Sequence, residues 1–170
     1  MNLVFMPSYV AGFFGKQTVS FMLKYSREMY RAEDCTMGFE WDEDLSTGIA
    51  DIDSQHRELI TRLNLLLETS KIQKDQDTVG KYLDFLSEYV DLHFATEERE
   101  MTNCNYPGYA EHVAEHRLFK TQVGKLYESY AKHGANIQVF VMTIRASGDW
   151  LVNHIHKTDK IMAAFLKKQH

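Results

Sequence analysis

From Ile52 onward, the apolar residues of this 170-residue chain recur at intervals of three and four, and that spacing limits the fold more than any other feature. It lays a continuous apolar stripe along one face of a helix. Four stripes follow one another. The first holds Ile52, Leu59, Ile60, Leu63, Leu66 and Leu67 and opens near Asp51 or Asp53, either of which suits a helix cap. The second holds Val79, Leu83, Leu86, Val90, Phe94 and Met101, and stops at the breaker cluster NCNYPG over 103–108. Tyr109, Val113, Phe119, Val123, Leu126 and Tyr130 make the third, closed by His133 and Gly134. The fourth runs from about Ile137 to Phe165 through Phe140, Ile144, Leu151 and Met162. Two prolines and nine glycines are too few for a sandwich of many short strands. Links as short as 72–77 and 133–136 make neighbouring helices antiparallel. The predicted architecture is an all-α, up-down-up-down four-helix bundle.

Several positions inside these stripes are polar. His56 falls between Ile52 and Ile60, His93 and Glu97 between Val90 and Met101, His112 and His116 between Tyr109 and Phe119, and His154 between Leu151 and Met162. A buried polar group costs free energy unless it is paired. A single such histidine reads as a hydrogen-bonded core residue, but five of them spread over four helices call for a shared partner.

The helical rise shows that they share a height. Folding the chain near residue 74 brings His56 level with His93, 18 and 19 residues from the turn. Folding it near 135 brings His116 level with His154, 19 residues on either side. Glu97 and His112 flank the NCNYPG turn at nearly equal distances. His93/Glu97 and His112/His116 are i, i+4 pairs and face one way. Asp159 is five residues beyond His154, about 140° round a regular α-helix. It must reach back across the layer, or a π-type distortion must turn it inward.

Imidazoles and carboxylates converging between bundle helices form a metal site at one end of the bundle. Five histidines exceed what one four-coordinate zinc accepts, so the count points to two metals, bridged by the carboxylates. Mixed nitrogen and oxygen donors suit iron better than magnesium or calcium.

The rest of the composition narrows the setting. A net charge of −5 without any Lys/Arg block excludes a phosphate-backbone partner. Cys35 and Cys104 are too few for a disulfide framework, so nothing points to an oxidising compartment and the cytoplasm is the default expectation. Residues 1–38 read as an N-terminal extension, flexible or non-native, with Met37 as an alternative start. Its apolar stretch, residues 3–14, is too short to span a bilayer, although an amphipathic anchor is a second reading.

The chain resembles the bacterial hemerythrins over roughly 39–166. The resemblance is carried by Trp41 with Asp42, Gly48, IDSQH over 52–56, HFATEE over 93–98, Tyr106 with Pro107, HVAEH over 112–116, and WLVNHIHKTD over 150–159. It implies a domain over 39–170 that binds dioxygen reversibly at an oxo- or hydroxo-bridged pair of irons, as a carrier, store or sensor and not an enzyme. It further implies that His112, His116 and His154 hold one iron, that His56 and His93 hold the other, which has the open place, and that Glu97 and Asp159 bridge. Leu151 and Ile155 match residues that line the oxygen pocket. Trp150 and Phe94 are further lining candidates, against a plain reading as core.

Three other functions use some of the same residues. A di-iron oxidase or iron-storage protein shares the architecture, but its Glu-x-x-His pairs are missing. HxxEH over 112–116 also matches a zinc peptidase with Glu115 as base, which leaves His56, His93, Glu97 and His154 without a role. The third, an interaction domain with a vestigial site, does not fit an intact ligand set. Glu115 then reads as a surface residue or a support for a ligand, Glu98 as solvated, His156 as facing away, His133 as complementing a helix dipole, and Cys104 as a spectator. Dioxygen is the predicted ligand and the chain a monomer; any oxygen-consuming partner protein is unspecified.

Overall fold

The computed structural model describes residues 38–69 and 78–169. Residues 1–37 of the N-terminal extension and the 72–77 link lie outside these residues. Among the described residues the order is a short 3-10 turn, Glu43–Leu45, then α1 (Ala50–Thr69), α2 (Thr78–Asn103), α3 (Tyr109–His133) and α4 (Ile137–Trp150). A π-helical segment, Leu151–Asp159, continues α4 and leads into α5 (Lys160–Leu166). These last three form one helical run, so the bundle has the four rods that the stripes predict. No described helix is long and apolar enough to cross a membrane.

Each stripe is buried where the rods meet. Leu59 and Leu63 of α1, Leu83 and Leu86 of α2, and Leu151 and Ile155 of the π segment are all but inaccessible to solvent. At one end Ile52, Met101, Val113, Met162 and Leu166 form a cluster, against which Tyr106, Phe165 and Cys104 pack. Tyr109 departs from its stripe and is exposed. It is the first residue of α3, where the helix face has not yet met a neighbour.

The helix ends follow local chemistry. Asn136 caps α4 by accepting from the Gln138 and Val139 N–H groups, both at 2.9 Å. Gly134 ends α3 at φ 67° and ψ −169°, a conformation open essentially to glycine alone. At the start of α1 the structure corrects the sequence reading. The helix begins at Ala50, and neither Asp51 nor Asp53 is its cap. Asp53 lies inside the first turn and reaches back to Ser46, Thr47 and Gly48, whose N–H and hydroxyl groups point at its carboxylate.

The π segment settles where Asp159 points. In a wider turn closed by i→i+5 bonding, residues five apart come into line, and Asp159 Oδ1 stands 2.9 Å from His154 Nε2.

Candidate metal centre

Each rod contributes to one cage. His56 comes from α1, His93 and Glu97 from α2, His112 and His116 from α3, and His154 and Asp159 from the π segment, and none is more than 1% exposed. All five imidazoles turn Nε2 inward. Glu97 Oε2 lies 3.2 Å from His112 Nε2, 3.1 Å from His116 Nε2 and 4.0 Å from His154 Nε2, while its Oε1 is 3.6 Å from His93 Nε2. Asp159 Oδ2 is 3.2 Å from His56 Nε2, and its Oδ1 is 3.4 Å from His112 Nε2. Two sets of four result, Glu97 with His112, His116 and His154, and His56 with His93, Glu97 and Asp159.

Three of the five outward nitrogens, those of His93, His116 and His154, are held by neighbouring side chains. Thr96 donates to the Leu92 carbonyl at 2.9 Å, leaving its oxygen to accept from Gln55 Nε2 at 3.1 Å. Gln55 must then offer Oε1 to His93 Nδ1, 3.0 Å away. The proton of His93 is thereby fixed on Nδ1, and its lone pair points into the cage. Glu98 does the same for His116 at 3.0 Å, and Glu115 for His154 at 2.6 Å, where it also accepts from Thr158 at 3.1 Å. Glu98 is therefore more than a solvated carboxylate, which corrects the sequence reading. It directly follows Glu97 and so faces the neighbouring rod, where His116 lies. Glu115 has its carboxylate committed to His154 and Thr158, which removes it as a peptidase base.

The cage is short of protons. The Nε2 atoms of His56 and His93 are 3.3 Å apart, and the lone pair that Gln55 imposes on His93 leaves at most one proton, that of His56, between them. Glu97 Oε1, both Asp159 oxygens and His154 Nε2 are buried without a completed hydrogen bond among the described residues. A dry cluster of acceptors is stable when a cation sits among them. The residues present fit a pair of metal ions of the kind that takes imidazole and carboxylate together.

Burial and mutual charge set the protonation of these groups. Without a cation, burial and then the adjacent Asp159 push Glu97 up to about 7. Burial, with His56 beside it, keeps His93 well below its ordinary range, and burial pulls His112 down to about 4. Burial opposes charge on His154 and Asp159 as well, but their mutual attraction outweighs it: His154 is raised and Asp159 held well below the usual carboxylate range.

Aromatic rings clamp the ligand layer. Phe94 lies flat on His116, with centroids 3.8 Å apart and planes within 4°, and Trp150 on His154 at 3.7 Å and 16°. Phe94 and Trp150 are themselves 5.4 Å apart, and Leu151 and Ile155 are buried. Tyr89, which sequence reasoning missed, stacks on His93 at 4.9 Å and 19°. Burial keeps its phenol well above the ordinary range and therefore neutral. Its position one turn before His93 was the available signal. His156 is half-buried outside both sets, and His133 is exposed in the last turn of α3.

Comparison with known proteins agrees with this geometry. Residues 47–166 match the family described as the hemerythrin HHE cation binding domain. The bacteriohemerythrin of Methylococcus capsulatus is 35% identical over 118 residues, covering 69% of this chain and 88% of the relative. Hemerythrin subunit alpha of Lingula reevii is 31% identical over 121 residues, 71% of this chain and 89% of the relative. A crystal structure of a hemerythrin mutant superposes with a TM-score of 0.65 at 32% identity, covering 76% of this chain and 98% of that one. With the match to the family spanning most of the bundle, the chain belongs to the hemerythrin HHE cation binding domain family.

Proposed function

We propose that this chain binds dioxygen reversibly at a non-haem di-iron centre, as a carrier, store or sensor and not as an enzyme. The observation that carries the reading is the closed cage of five inward imidazole nitrogens and two carboxylates, in a chain of the hemerythrin family. His112, His116 and His154 would hold one iron, His56 and His93 the other, and Glu97 and Asp159 would bridge them. Two irons, when bound, supply the electrons that dioxygen takes up.

The chain's own residues do the rest. Gln55, Glu98 and Glu115 hold three of the imidazoles in the tautomer that offers Nε2 to a metal. Five neutral imidazoles with only two carboxylates supply little anionic charge, which disfavours high-valent iron and supports a carrier over an oxidase. Leu151 and Ile155, with Phe94 and Trp150 beside them, would form the apolar lining that excludes water and keeps binding reversible. The chain would act as a monomer in the cytoplasm.

The test is direct. Iron is counted in the purified protein, which is then reduced without air, exposed to dioxygen and returned to vacuum while its visible spectrum is recorded. Two irons per chain and a colour that appears and disappears with the gas are expected. One zinc, or bleaching that vacuum does not reverse, would overturn the reading.

A further inference from the structure

Two buried donor groups lie beside the cage, the Tyr89 hydroxyl and the Trp150 indole N–H. Tyr89 stands one turn before His93 on α2, and Trp150 one turn before His154 on α4, so both occupy the layer adjoining the ligand layer. Each lies against its imidazole, and both are almost wholly buried, at 5% and 7% exposure. The indole N–H lies beside the phenol oxygen and interacts with it. Neither Tyr89 Oη nor Trp150 Nε1, however, completes a hydrogen bond among the described residues.

A phenol with a purely structural role behaves differently in this bundle. Tyr82, two turns earlier on the same helix, donates to Ser147 Oγ at 2.8 Å. Buried donors left open are rare in folded proteins, and each one calls for an explanation. Phenol and indole both carry a hydrogen to give, and the indole has no lone pair to offer in return.

We propose that Tyr89 and Trp150 form a two-donor wall of the ligand pocket, which a small hydrogen-bond-accepting ligand, dioxygen or an anion the size of azide, engages when it enters the site. This rests on the dioxygen reading above and names the residues that select the ligand. The pocket is then apolar in its shape-filling residues and polar at one spot, so ligands that accept hydrogen bonds are held in preference to those of the same size that do not.

The experiment compares the iron-loaded full chain with Tyr89→Phe and Trp150→Phe at matched iron content, titrating azide by visible absorption. Tyr89→Phe is expected to weaken azide about tenfold, the size of one buried hydrogen bond. A second readout uses the metal-free protein. Tyr89→Phe should melt no lower than the parent, because its hydroxyl completes no hydrogen bond that its loss would break, whereas Tyr82→Phe, which strips Ser147 of its donor, should melt lower. Azide affinity within twofold of the parent in both variants would overturn the inference. So would a metal-free Tyr89→Phe that melts as far below the parent as Tyr82→Phe, since the hydroxyl would then be a structural one. A parent that takes up no iron would overturn the dioxygen reading and this inference with it. A parent that binds iron and azide, beside Tyr89→Phe and Trp150→Phe variants that both match its affinity, would overturn this inference alone.

Discussion

Asp53 offers a sharp test of how the start of α1 is held. The residue is 5% exposed, and its carboxylate accepts four hydrogen bonds, from Ser46 Oγ at 2.6 Å, Thr47 N and Oγ1 at 2.7 Å each, and Gly48 N at 3.1 Å. Ser46 and Gly48 are partly exposed and can turn to water when the carboxylate is removed, but Thr47 is fully buried and cannot. Two orphaned donors at roughly 1–3 kcal/mol each put the cost of Asp53→Ala at about 3 kcal/mol. Asp53→Asn keeps one carbonyl oxygen for Thr47 and should cost roughly half as much. Burial works against the charge, yet the four hydrogen bonds outweigh it and hold the carboxyl below its ordinary 3.8. A depressed folded value means stability that is present above pH 3.8 and lost as the pH falls through the folded value. The gap between the parent and Asp53→Asn should therefore narrow in acid. Urea unfolding of the metal-free proteins at pH 7 and near pH 3 measures both effects. An Asp53→Ala variant within 0.5 kcal/mol of the parent at pH 7, well under the roughly 1 kcal/mol of a single typical hydrogen bond, would refute the reasoning.

Three further outcomes are expected. Gly134→Ala should cost about 1–3 kcal/mol by urea unfolding through backbone strain alone, because nothing lies within 4 Å of the added methyl group; a neutral result would mean that the turn readily reshapes. Glu115→Ala frees His154 Nδ1 and should weaken iron retention against a chelator by about 10- to 100-fold, with Glu98→Ala acting likewise through His116. Leu151→Ala and Ile155→Glu should hasten decay of the oxygenated spectrum while two irons stay bound, Leu151→Ala also costing about 2–5 kcal/mol of stability; unchanged decay in both would place the pocket lining elsewhere.

Much of the site is legible in the chain because helices convert sequence distance into height and angle with few parameters. Equal distances from the links bring His56 level with His93 and His116 level with His154, while the five-residue gap before Asp159 leaves a long reach or a widened turn open, and the structure has the widened turn. Other features depend on which neighbour a side chain meets, and no single helix carries that information. Glu98 looks solvated on α2, and only the approach of α3 gives it His116. Asp53 resembles a cap because an acidic residue near a helix start usually is one; the loop over 46–48 folds back and makes it an acceptor instead. Tyr89 escapes notice because a tyrosine on an apolar face reads as core until its hydroxyl is seen to lack a partner.

The widened turn before Asp159 has a mechanical consequence for the whole C-terminal end. A helix is a torsional shaft, and relaxing the π segment to regular α geometry would rotate everything beyond it by roughly one residue's angle, about 100°. Asp159 would leave the cage in the same motion that carried Met162 and Leu166 away from Ile52, Met101 and Val113. The Asp159 carboxylate and this apolar seam are thus geared together, and a cation bound at Asp159 would hold both. Cys104, packed against that seam and partly open to solvent, is a built-in gauge of it. Its rate of reaction with a thiol reagent should rise as metal is withdrawn, reporting at the bundle's end what happens inside the cage.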